Sequence, residues 1–197
     1  MINRKVSRGT IARATAALVL SIGAVAAALY ASRPATPTVN ATSTGVLLGQ
    51  STAGERFDTF ADAVRAADAV VLAKVVATSP GRTVQVSGTD LAFTNVTFSV
   101  MDVAKGTLRA GDRFLLEQTG GMTARGPLID VHDPPYTVGE QDVLLLHVIP
   151  GGYRSLLGVG RYRVTGSQLE PQGDAAIALQ WRGKSVAEIL GSVRIVR

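Results

Sequence analysis

The pattern of apolar and polar positions divides the chain into three stretches of different character. Residues 14–31, ATAALVLSIGAVAAALYA, carry no charge and show no polar face. Residues 32–54 are rich in Ser, Thr, Ala, Gly and Pro. Such a composition buries too little apolar surface to offset ordering entropy and reads as a flexible linker. Within it Val46, Leu47 and Leu48 are apolar enough to dock on the neighbouring domain. Residues 55–197 carry the periodicities of that one folded domain.

In the domain Phe57, Phe60, Ala61, Val64 and Ala67 recur at helical spacing, and Thr59 with Asp62 forms a capping box. A short amphipathic helix is therefore predicted over 59–67. The β-branched run AVVLAKVVATS, 69–79, ends at Pro80-Gly81, which predicts a core strand closed by a turn, with 83–86 as its return. Residues 91–106 alternate apolar and polar, with a phase slip between Phe93 and Val96 that marks a bulge. Residues 108–112 read as a turn and 113–121 as the next strand. The stretch 122–140 holds Gly126, Pro127, Pro134, Pro135 and Gly139. It is too punctuated for regular structure, and so long a connection is a candidate functional loop.

DVLLLHVI, 142–149, is the most apolar strand and is expected at the centre. Pro150-Gly151-Gly152 turns it toward short strands at 153–157 and 160–165. Ser185 caps a last amphipathic stretch in which Val186, Ile189, Leu190 and Val193 share one helical face. The fold expected is mainly β (α+β): an OB-like, partly open antiparallel barrel of five to six strands, with a short N-terminal helix and a C-terminal amphipathic helix, preceded by a transmembrane helix.

Charge refines the first stretch. The formal net charge is +5, but Arg4, Lys5, Arg8 and Arg13 supply +4 before any acid occurs, leaving 16 Lys/Arg against 15 Asp/Glu from Ser32 onward. The domain thus lacks the one-sided positive field that nucleic acid requires, and no nucleic-acid partner is expected. A basic segment 1–13 followed by an uncharged run of about 27 Å as a helix places residues 1–13 in the cytoplasm and the domain outside. The run reads as a retained membrane anchor or a cleaved signal peptide. Its length favours the anchor, and the small residues Ala26 and Ala28 fall inside the apolar run instead of after it. The chain has no cysteine, which removes disulfides, thiolate zinc sites and thiol nucleophiles.

Candidate chemistry is sparse. Asp130, His132 and Asp133 in the 122–140 loop are the residues best able to meet a divalent cation, against the plainer reading of Asp side chains capping turns beside Pro134-Pro135. His147 reads as a barrel histidine. Ser99, Ser155 and Ser167 sit in no G-x-S-x-G. Gly120-Gly121 and Gly151-Gly152 lack a phosphate-binding continuation and read as turn glycines. Tyr153, Arg154, Arg161, Tyr162 and Arg163 form a modest basic and aromatic cluster, suited to an anionic glycan or to protecting a solvated edge strand. No catalytic, cofactor-binding or metal-ligating residue is assigned, and no cofactor is expected.

The segments ADAVVLAKVV, TNVTFSVMDVAKGTLRAGDRFLLEQTGG, YTVGEQDVLLLHV and GRYRV resemble a group of exported or membrane-anchored bacterial domains with an OB-like barrel and no assigned molecular role. The resemblance covers 67–165, about half the chain, and its motifs are turns and strands that specify a fold more than a function. More distantly the barrel is similar to the tissue inhibitors of metalloproteinases and netrin-like modules. Only their architecture is implied, because their inhibitory N-terminal Cys has no counterpart here. The expectation is an exported, membrane-anchored cell-envelope protein with a non-enzymatic binding or scaffold domain. Its partners would be the cytoplasmic membrane and an envelope protein or anionic glycan. The alternatives are an extracytoplasmic metal-dependent or hydrolytic enzyme using the 122–140 loop, or an inhibitor or accessory partner of another exported protein.

Overall fold

A computed structural model describes residues 56–86 and 88–196, together with the strand backbone of 38–41 and 47–50. The basic segment and the apolar run lie outside the described residues, and so does the anchor assigned to them. Among the described residues no helix is long and apolar enough to cross a membrane.

The described chain is mainly β. In order it forms β1 (Thr38–Ala41), β2 (Leu47–Gln50), α1 (Phe60–Ala66), β3 (Ala69–Val86), β4 (Thr89–Lys105), β5 (Arg113–Thr123), β6 (Gly126–Asp130), β7 (Gln141–Ile149), β8 (Gly152–Ser155), β9 (Arg161–Thr165), β10 (Gln168–Pro171), α2 (Ala176–Leu179) and α3 (Val186–Val196). The sheet runs β1-β2-β6-β5-β4-β3-β7-β9-β10. β8 pairs with β7 along its length and is bridged to β5 at Leu116↔Tyr153. The sheet therefore curls part of the way into a ring, and with ten strands it is larger than the five to six expected.

Several expectations change in detail. Pro80-Gly81 does not turn the chain: β3 continues through a register shift between Pro80 and Thr83, and the hairpin closes between Val86 and Thr89. A proline without an N–H is tolerated at such an irregularity. The shift lies opposite Phe93 with its extra residues on β3, while the 93–96 stretch of β4, where the sequence pattern put a bulge, pairs in continuous register with β5. The 122–140 stretch is not wholly irregular. β5 runs on to Thr123 and folds back as β6, pairing Gly120↔Ile129 through Thr123↔Gly126. Gly120, at φ 113°, sits where β5 leaves β4 for β6, and a Cβ there would lie 2.9 Å from the Leu128 carbonyl oxygen. Part of the expected linker also has structure: the backbone of Leu47–Gly49 pairs in parallel with Leu128–Asp130. β10 and α2 have no counterpart in the sequence reading.

The helix ends follow their capping residues. The Thr59 hydroxyl accepts from the Asp62 N–H at 3.1 Å and starts α1. Ser185 and Glu188 hydrogen-bond reciprocally, each backbone N–H to the other's side chain, and start α3. The middle of β7, Val143–Leu146, is apolar without a break, and both its faces are covered. Val143 and Leu145 join α1, α3 and Tyr162 in one core, while Leu144 and Leu146 join Val71, Phe98, Phe114 and Leu116 in another. All four β7 residues are inaccessible to solvent, and burying such a side chain stabilises the fold by about 1.5–3 kcal/mol.

Candidate functional site

Polar side chains converge in one buried place, where the segment 131–140 crosses the start of β7 and β9. The register pairs Asp142 with Arg163 and Leu144 with Arg161. Arg161 thus lies one step along β9 from the head of the most apolar strand, and it is 4% exposed. Its Nε donates to Asp142 Oδ1 at 3.2 Å, Nη1 to Asp133 Oδ1 at 3.1 Å, and Nη2 to Glu140 Oε1 at 2.8 Å. Nη1 also donates to the Pro134 carbonyl. The guanidinium stacks 3.4 Å from the centre of the Tyr136 ring. Arg163 Nε donates to the same Glu140 oxygen at 2.8 Å.

Gln118, pointing inward from β5, completes the clamp. Its amide donates to the carbonyls of Asp133 and Pro134 at 3.1 and 2.9 Å, and its oxygen accepts from the Tyr136 N–H at 3.4 Å. Two turns shape the segment between these anchors. Asp130 Oδ1 accepts from the His132 N–H, and Glu140 accepts from the Thr137 N–H. Both are local side-chain-to-backbone bonds of the kind that Asp and Glu make in turns.

The electrostatics rest on a simple imbalance. Three carboxylates face one fully buried guanidinium and one partly exposed one. Burial pushes Asp133 up to about 6 against the pull of Arg161, with Asp130 adding to the rise. Burial likewise raises Asp142 to about 7, with Arg161 opposing and Glu140 contributing to the rise. Glu140 is also raised by burial, but hydrogen bonds from Arg161 and Arg163 outweigh that and hold it below the ordinary glutamate value. Asp142 Oδ2 and the Tyr136 hydroxyl are buried without a hydrogen-bond partner. An oxygen left in that condition disfavours the charged form of its carboxyl group.

Beside this cluster a small cleft of about 10 Å³, room for about one water molecule, is lined by His132, Asp133, Ser155, Gly158 and Arg161, among others. That is below the usual size of a small-molecule site.

The residues singled out in the sequence are distributed differently from the expectation. Asp130, His132 and Asp133 are neighbours, but they do not converge on one point. The carboxyl groups of Asp133 and Asp130 are turned to Arg161 and to the His132 backbone, while the His132 ring lies 3.8 Å from Asp174. Among the described residues no group of three or more His, Asp or Glu is arranged to hold a metal ion. His147 sits 3.3 Å from Asp68, away from this cluster.

The basic and aromatic cluster is also taken apart. Arg161 and Tyr162 are buried, Arg163 is on Glu140, and Arg154 shares Glu117 with Arg82. Burial raises the Glu117 carboxyl, yet the bonds from Arg82 and Arg154 hold it below its usual value. Tyr153 packs edge-on against Phe114 at 5.3 Å. An outward-facing surface for a polyanion is therefore not assembled from these residues. Sequence reasoning missed Arg161 as the hub. The available signal was Asp142, a charge at the head of the strand expected to be central, which requires a buried counter-charge.

Compared with known proteins, the chain matches no protein-family model and no curated protein.

Proposed function

We propose that this protein is an exported, membrane-tethered component of the cell envelope whose domain is a non-enzymatic binding or scaffold module. The observation that carries the non-enzymatic part is the engagement of the Arg161 guanidinium. Each of the three guanidinium nitrogens is engaged by a carboxylate oxygen. General acid–base or nucleophilic chemistry needs a group within reach of a substrate atom, whereas these are turned on one another.

The placement rests on the N-terminal sequence: four basic residues, no acid, then an uncharged apolar run. The OB-like reading of the domain draws support from the bulged β3–β4 hairpin and from the single bridge by which β8 returns to β5. With the anionic-glycan surface not assembled, an envelope protein is the partner this reading favours.

The test is protease treatment of intact host cells or spheroplasts expressing the full chain, followed by carbonate extraction of membranes. Digestion of the domain from outside, with the uncut protein remaining in the membrane pellet, is expected. Recovery of protected full-length protein in the cytosolic fraction would overturn the placement. Crosslinking in intact envelopes tests the partner, and capture of a specific envelope protein is expected. Turnover of a peptide, glycan or ester by the purified protein would overturn the non-enzymatic reading.

A further inference from the structure

The segment 131–140 is held to the sheet through very few side chains. Three of its residues, Asp133, Tyr136 and Glu140, reach Arg161, and Gln118 holds its middle. Backbone pairing is confined to its ends, where Val75 exchanges bonds with Gly139 and Glu140, and Asp133 bonds Asp130. Pro134 and Pro135 cannot donate to any ladder. Beneath the segment, Tyr136 meets Phe98 edge-on at 5.2 Å and belongs to the second core.

The charges that hold it do not balance. β9 presents Arg161 and Arg163, β7 presents Asp142, and the segment presents Asp133 and Glu140. From β5 only the uncharged Gln118 reaches the site. Asp130, at the end of β6, adds negative field to Asp133, and the phenol of Tyr136 is buried and neutral. His132 lies at the rim beside the exposed Asp174. With Asp133, Glu140 and Asp142 all ionised, the cluster carries one negative charge in excess of its two arginines, before Asp130 is counted. One proton on the three carboxyl groups brings it to neutrality, and the unpartnered Asp142 Oδ2 is an oxygen that can carry it at no loss of a hydrogen bond.

We propose that the Arg161 cluster is a proton-operated latch. With one proton shared among Asp133, Glu140 and Asp142, segment 131–140 is clamped over the second core; when that proton leaves, the clamp loosens and the segment opens. The event is a single protonation and needs no co-reactant. Burial raises both Asp133 and Asp142, to about 6 and about 7, and the first of these protons, the one that neutralises the cluster, operates the latch near neutral pH. The open form would uncover Tyr136 and the Phe98 face behind it. The latch is independent of whether the domain binds an envelope partner.

Hydrogen–deuterium exchange on the full-length chain in detergent, corrected for intrinsic exchange rates, tests it. Between about pH 5 and about pH 8, amides of 131–140 are expected to lose roughly tenfold or more in protection, the change that corresponds to one unit of pKa difference between closed and open states. β7 amides should hold their protection over the same range. Asp142→Asn imitates the neutral form and should abolish the pH dependence of 131–140. Glu117→Gln, which alters an ion pair elsewhere, should leave it intact. Equal loss of protection across the whole domain, protection of 131–140 that is flat with pH in the wild type, or an unchanged slope in Asp142→Asn would each overturn the latch.

Discussion

Replacing Arg161 tests the internal clamp, and the geometry sets the size of the effect. Arg161→Ala leaves Asp133, Asp142 and Glu140 around a void in a site where Asp142 is inaccessible and Asp133 is 7% exposed. Removing one partner of a buried ion pair costs about 3–5 kcal/mol, because the remaining charges keep their desolvation penalty and lose their compensation. The loss of stacking on Tyr136, 3.4 Å away, acts in the same direction. The compact unit 35–197 is the natural object for urea unfolding monitored by Trp181 fluorescence. With a slope of about 2 kcal/mol/M, the midpoint at pH 8 should fall by roughly 2 M. At pH 5 the three carboxyl groups can take up protons, so the loss should be clearly smaller. Arg161→Met, which fills part of the space but restores no charge, should resemble Ala at pH 8 and approach wild type at pH 5. A midpoint unchanged at pH 8, or a loss that is the same at both pH values, would refute the reasoning.

Other outcomes can be checked on the same unit. Asp142→Asn should raise stability at pH 8 by on the order of 1 kcal/mol or more and change little at about pH 4, read by urea unfolding. The pH profile of the wild type should peak in mildly acid solution. Asp133 and Asp142 are raised in the fold, so their contribution is complete below the unfolded carboxyl value and is lost as pH rises through about 6 and about 7. Glu140 and Glu117 are lowered, so theirs is lost as pH falls through the acid range; thermal melts from about pH 3 to about pH 9 would show both arms. Leu145→Ala, at a position inaccessible to solvent in the core beneath α1 and α3, should cost about 2–5 kcal/mol. Ser185→Ala removes the hydroxyl half of the α3 cap and should cost about 1 kcal/mol.

The elements that were legible in the sequence are those whose local signals agree with their tertiary setting. Thr59 and Ser185 cap α1 and α3, and the unbroken apolar run of β7 reflects cover on both faces. The phase slip between Phe93 and Val96 lies beside a register shift, but the extra residues are on β3. Punctuation by Pro and Gly misled where it belonged to irregular strands instead of turns. Pro80-Gly81 lies within β3, and Gly126-Pro127 opens β6, a strand whose partner on one side is only the short β2. A local pattern cannot distinguish a turn proline from one accommodated at a bulge or near a sheet edge.

The cluster was illegible for a different reason. Gln118, Asp133 and Glu140 are each unremarkable at their own positions, Asp142 asks for a counter-charge without naming it, and Arg161 in a short strand beside Tyr162 reads as a solvated arginine. Only the pairing of β7 with β9 turns that arginine inward. The same pairing removes Arg161 and Tyr162 from the surface on which an anionic ligand was expected.

A closed, proton-sharing clamp with Arg161 at its middle leaves its signature in the titration of its own aspartates. Carbon-detected NMR titration of the aspartate side-chain carboxyl groups in unit 35–197 tests it most directly. Proton uptake at Asp133 and Asp142 near pH 6 and pH 7, with both responses displaced in Arg161→Ala, is the predicted result. Titration of both groups in the ordinary aspartate range near about 4, with no response to the loss of Arg161, would contradict the account.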